Sequence, residues 1–164
     1  DNFIAFNFGV GDRREELMLY DYEDEPGSEH ASLYKSVIED LRKSPSKANK
    51  VQIIKLDDFL TEQKIEYVHL LKIDTEGNEY KVLLGAKDYL LNNRIQAIQF
   101  EFNEMNVISR TFFKDFWDLL PNYNFYRLLP GGGLIHIKEY RPVECEIFAF
   151  QNIIATLKDS KKKF

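Results

Sequence analysis

The chain has 164 residues, 44% hydrophobic and 30% charged, with a formal net charge of −5. That length suits one domain with a buried core. Thirteen Phe, nine Tyr and one Trp argue against a disordered chain, and the acidic balance argues against a nucleic-acid footprint. The single cysteine, Cys145, excludes an intrachain disulfide and a multi-Cys zinc site. It fits a reducing compartment, so a cytoplasmic location is expected. No apolar run approaches the ~18 residues of a membrane span, so no transmembrane segment is expected. Oligomeric state is not readable from composition.

In chain order, the apolar run 3–8 closed by Gly9 and Gly11 reads as a buried strand. Residues 17–22 alternate as a second strand, and 21–30, with Pro26-Gly27-Ser28, form a loop. Residues 31–43 carry Leu33, Val37, Ile38 and Leu41 at helical spacing before Ser44-Pro45-Ser46. A strand over 51–56 precedes a short helix through Phe59 and Leu60.

Residues 67–73 (Y-V-H-L-L-K-I) are a strong strand, followed at once by Asp74-Thr75-Glu76-Gly77-Asn78. Residues 79–91 place apolar side chains on one helix face, which Asn92-Asn93 ends. A strand over 95–102, a helix over 109–120 and a hairpin of 125–129 with 134–137 around Pro130-Gly131-Gly132-Gly133 follow. Residues 147–154 form the last strand. The alternation predicts an α/β fold with a mostly parallel sheet and a C-terminal antiparallel hairpin. Residues 1–157 read as the domain and 158–164 as a basic tail, solvated rather than phosphate- or membrane-binding.

Ligands of open α/β sheets bind beyond the carboxyl ends of the strands. That rule selects Asn7 and Asp12, Asp74 and Glu76, and Glu101, Asn103 and Glu104. If their strands are neighbours, four carboxylates crowd one edge and need a cation, a metal or a shared proton. An Asp or Glu just before a helix also serves as a cap, and spacing alone leaves both roles open for Asp74 and Glu76. Among the histidines, His69 is expected inside the sheet, His30 in a loop, and His136 in the hairpin, where it either reaches the site or faces water. Cys145 is expected to be buried.

Leu70-Leu71-Lys72-Ile73-Asp74-Thr75-Glu76-Gly77-Asn78-Glu79 closely resembles the L-K-I-D-x-E-G-x-E signature of FkbM-type methyltransferases. Val82-Leu83 with Gly85-Ala86 resembles the family's V-L-x-G-A. Asn7 to Asp12, Ser32-Leu33 and Leu56-Asp57-Asp58-Phe59 are similar to further family segments, in the family's order. The resemblance implies a Rossmann-like class I methyltransferase sheet and S-adenosylmethionine as cofactor. It implies O-methylation of a hydroxyl on a sugar, glycan or secondary metabolite. It places Asp74, Glu76 and Glu101 as catalytic candidates, Asp74, Asn7 and Asp12 toward the cofactor, and Asn103 and His136 toward the acceptor. Oxygen-only donors also suit Mg²⁺ bridging Asp74, Glu76 and Glu101, a lesser expectation than a metal-free site. The family's glycine-rich loop and the acidic end of its second strand are not in the sequence. The N-terminal strands that carry them are therefore expected upstream of residue 1, and these 164 residues alone are expected to bind S-adenosylmethionine weakly or not at all and to be inactive. The competing expectation is a non-catalytic α/β interaction module that has lost the cofactor loop.

Overall fold

The computed structural model describes residues 3–24, 27, 28 and 30–158. They form two sheets. In the first, β1 (Gly9–Gly11) lies parallel to β3 (Ser46–Lys55), and β2 (Glu15–Tyr22) runs antiparallel on the other side of β3. The second is built from β4 (Val68–Ile73), β5 (Ile95–Phe102), β6 (Tyr123–Leu128), β7 (Leu134–Ile137) and β8 (Gln151–Leu157). Its order is β4-β5-β8-β6-β7. Only β4 and β5 are parallel there; β8 inserts antiparallel between β5 and β6, and the expected hairpin is β6–β7. The fold is mixed α/β, and the predominance of parallel pairing expected from the sequence is not found.

β5 is buried along most of its length, with Ile95, Ala97, Ile98, Phe100 and Phe102 closed from water. This suits a strand with neighbours on both edges and cover on both faces. Helix α5 (Phe113–Leu119) supplies part of that cover. Phe116 stacks on Phe100 at 4.4 Å, Phe113 meets Phe102 edge-on, and Trp117 stacks on Phe125 at 5.0 Å. Such ring pairs add to the burial of large apolar surface, the main stabilising term here. A second, small cluster of Val37, Ile38 and Met105 ties the 37–41 segment to helix α4 (Met105–Ser109).

Several boundaries differ from the sequence expectation, each for a local reason. Residues 3–8 are not a strand: Phe3 and Ile4 are exposed, and Phe6 and Phe8 pack on Phe59 instead. Pairing begins only at Gly9, opposite Ile53. The 31–43 helix shrinks to a π-helical turn, Val37–Leu41, because Ser32 is held to Tyr20 by two backbone hydrogen bonds. The 79–91 helix divides at Ala86 into α2 (Glu79–Gly85) and α3 (Lys87–Leu91). Gly85 lies so close to β1 that a Cβ there would sit 1.9 Å from the Gly11 carbonyl oxygen. Asp57, at the start of α1 (Leu56–Glu62), accepts hydrogen bonds from the Asp88 and Tyr89 amides and so caps α3. The 109–120 helix starts later, at Phe113, after Arg110 turns left-handed at φ 57°. The Glu146 carboxylate, just past helix α6 (Pro142–Cys145), accepts from the Phe113 and Lys114 amides there. His69 is exposed beside Tyr67 rather than inside the sheet, whereas Cys145 is fully buried. No described helix is long and apolar enough to cross a membrane. Of the basic tail, only Lys158 is among the described residues, and its ammonium donates to the Pro121 carbonyl. Residues 25, 26 and 29 of the expected loop also lie outside them.

Candidate active site

The parallel pairing of β4 and β5 brings Ile73 opposite Phe100, so the two strands release their chains at the same edge. The turn after β4 is built around Glu79. Its Oε1 accepts from the Thr75 amide at 3.0 Å, the Thr75 hydroxyl at 2.9 Å and the Gly77 amide at 3.2 Å. Burial pushes the Glu79 carboxyl up, and those hydrogen bonds oppose the rise. With the turn drawn around this carboxylate, Glu76 adopts φ +51° and Gly77 φ +109°. A left-handed glutamate costs about 1–2 kcal/mol, and such strain concentrates at functional turns.

Glu76 is buried, and three groups address it. The Ser32 hydroxyl donates to its carbonyl at 2.7 Å. His30 Nδ1 lies 3.3 Å from its Oε1. The Arg42 guanidinium is 3.8 Å from Oε2 through Nη2, an ion-pair distance but not a hydrogen bond. Oε2 and Arg42 Nε, both closed from solvent, have no hydrogen-bond partner. Lys72 projects from β4 to pair with Asp74 at 2.6 Å. From the end of β5, Glu101 accepts from the Asn103 amide nitrogen at 3.3 Å, while Asn103 Oδ1 accepts from the Met105 backbone.

Two cavities meet at Asp74. One, of about 420 Å³, is lined by His30, Arg42, Asp74, Glu76, Glu101, Asn103 and Glu104, with Phe150 exposed at its rim. The other, of about 450 Å³, has an apolar wall that includes Phe6, Phe8, Val10 and Ile53 and a polar end of Asn7, Asp74, Thr75 and Asn78. Asn78 is buried; its Nδ2 reaches the Val10 carbonyl at 3.4 Å, and its Oδ1 has no partner. Burial, then the charges of Asp74, Glu76 and Glu79, push Glu101 up to about 7, with Lys72 pulling the other way. A carboxyl there can exchange its proton near neutrality.

The structure thus gathers Asp74, Glu76, Glu101 and Asn103 around one cavity and places Asn7 with Asp74 on the other. It does not bring Asp12 or His136 to either. Asp12 lines a separate hollow with Tyr34, Tyr80, Lys81 and Arg110. His136 stacks on Tyr126 in β7, the sheet edge farthest from β4, beside Trp117 and Lys158. Among the described residues, no three His, Cys, Asp or Glu side chains are placed to hold a metal ion, so the Mg²⁺ bridge over Asp74, Glu76 and Glu101 does not form a ligand set. Sequence reasoning missed Arg42, Phe150 and Asn78. Asn78 alone carried a signal, as the polar residue between the Gly and the Glu of the acidic turn.

No curated protein and no solved structure matches the chain. The family model described as the methyltransferase FkbM domain matches residues 1–127, which include both cavities' strand-end residues from Asn7 to Asn103. That match spans more than half of the 164 residues, and the chain belongs to the FkbM methyltransferase domain family.

Proposed function

We propose that the protein transfers a methyl group from S-adenosylmethionine to a hydroxyl of a sugar, glycan or other secondary metabolite. The observation that carries this reading is the position of Asp74 between two cavities of different chemistry. The residues of the 450 Å³ cavity suit the cofactor. Its apolar, aromatic wall fits a nucleobase, and its polar end offers acceptors to a cation and to donor groups. The unpaired Asn78 Oδ1 is one such acceptor. The cofactor supplies a methyl group on a positively charged sulfur.

The protein's own part is alignment, charge and proton handling. Asp74, held by Lys72, stabilises positive charge at the junction. Glu101 takes the proton of the acceptor hydroxyl as its oxygen attacks, a role that suits a carboxyl near 7. Asn103 orients the Glu101 carboxylate. Glu76, fixed by Ser32 and His30, faces the acceptor.

Mass spectrometry of products formed by the complete gene product from isotopically labelled S-adenosylmethionine and a glycan panel tests the reading. Asp74→Ala should abolish transfer while the fold survives; retained turnover would remove Asp74 from the site. The open outer edge of β4, which pairs with β5 alone among the described residues and exposes Leu70, favours the interaction-module reading instead. That reading gains if the complete gene product binds no S-adenosylmethionine.

A further inference from the structure

The Arg42–Glu76 pair is incomplete in an informative way. The two groups stand 3.8 Å apart at closest approach, yet each keeps a polar atom without a partner: a donor on Arg42 Nε and an acceptor on Glu76 Oε2. Neither glutamate oxygen is free to turn away, because His30 engages Oε1 and Ser32 anchors the same residue's backbone. Burying such groups unpaired is unfavourable by an amount comparable to a lost hydrogen bond. Both residues line the cavity that Glu101 and Asn103 share, and Phe150, 65% exposed, stands at the same opening.

We infer that Arg42 and Glu76 form an anchoring subsite for a neutral alcohol, whose oxygen accepts from Arg42 Nε–H and whose hydrogen is donated to Glu76 Oε2. The inference rests on the transferase reading and deepens it by naming the charge class of the acceptor. A hydroxyl is the small group that both gives and takes a hydrogen bond without carrying charge. An ammonium would satisfy Glu76 but confront the guanidinium. A carboxylate or phosphate would satisfy Arg42 but confront the buried carboxylate. Either mismatch leaves a buried charge uncompensated, the strongest source of discrimination such a site has. Both atoms are closed from solvent, so binding requires the Arg42 stem, whose side chain is one-third exposed, to turn outward and admit the hydroxyl. Phe150 then covers the apolar face of the group that bears the hydroxyl. The anchored hydroxyl is distinct from the one Glu101 deprotonates, so the acceptor carries at least two. Arg42 and Phe150 become acceptor-binding residues.

The test uses three glycosides on one ring: methyl glucoside, its 2-amino-2-deoxy counterpart and its uronic acid. NMR titration of the full chain follows the Arg42 Nε–H resonance, which a purely structural pair would not move. The neutral glycoside should shift that resonance and bind about tenfold or more tighter than either charged form. Glu76→Gln should improve the uronic acid relative to the glucoside, and Arg42→Met should improve the amino sugar. Arg42→Lys, which keeps the charge but lacks the Nε–H, should lose the glucoside without unfolding. Equal or tighter binding of a charged form to the wild type overturns the inference. So does an Arg42 Nε–H resonance that none of the three glycosides moves, since the pair then encloses only water or nothing. Methyl transfer to an acceptor lacking a second hydroxyl would remove this inference and leave the transferase standing. A shifted resonance with no transfer to any acceptor would do the reverse.

Discussion

Glu101→Gln isolates the electrostatic strain of the site. In the folded protein the Glu101 carboxyl is held at about 7 rather than 4.5, chiefly by burial and then by the charges of Asp74, Glu76 and Glu79. A carboxyl raised on folding keeps its proton where the unfolded chain has lost it. Wild-type stability therefore falls as pH rises from about 4.5 to about 7 and levels above that. At full strength the shift corresponds to roughly 3 kcal/mol, but Glu101 is only half-buried, and solvent screening leaves about 1 kcal/mol. Glutamine has the same shape, still accepts from Asn103 and carries no charge. For a chain of this size, about 1 kcal/mol is roughly 3 °C in Tm. Calorimetric melts of both proteins should show the variant gaining about 3 °C near pH 8 and nothing near pH 4. An equal difference at both pH values, or a variant less stable at the higher one, would refute the account of charge crowding.

The same residue predicts a pH–rate profile: transfer should rise with pH through about 7 as Glu101 loses its proton, and Glu101→Gln should flatten the rise with a loss of about 10²-fold or more. Asn78→Leu removes the unpaired buried oxygen and should raise the ligand-free Tm, offset in part by losing the long contact to Val10, while calorimetry on the complete gene product shows weaker S-adenosylmethionine binding. A fall in both would mark Asn78 as structural alone. Gly85→Ala should destabilise by about 2–3 kcal/mol in denaturant titration, because backbone rather than a movable side chain blocks the new methyl. An unchanged midpoint would mean that α2 and β1 separate freely.

What could be read in advance follows the range of the interactions involved. Asp74 and Glu101 were legible because each ends a short apolar run, and strand alternation is a local pattern. Their shared cavity followed from strand adjacency, an assumption that the Ile73–Phe100 register supports. Arg42 was not legible, since its approach to Glu76 depends on a π-helical turn and on Ser32 being drawn to both Tyr20 and Glu76. The division of 79–91 into two helices is set by Gly11 and Asp57, far away in sequence. Likewise no local feature of residues 151–157 tells that they separate β5 from β6. For the same reason His136 lies away from the Asp74 cavities: the hairpin it occupies lies beyond the inserted strand.

That insertion bears on how the chain reaches its final form. β8 is the last described strand in chain order, yet it sits in the middle of the five-stranded sheet. During synthesis, β5 leaves the ribosome with one edge bare and cannot be sealed until every other described strand has emerged. Between the emergence of β5 and that of β8 one border of β5 stays unpaired, and once β6 and β7 have formed the domain holds two half-sheets with sticky borders, a state prone to mispairing. Shortening the chain by a few residues within β8 should therefore harm yield far more than a larger deletion in the glycine-rich hairpin tip, although neither touches a carboxylate of the cleft.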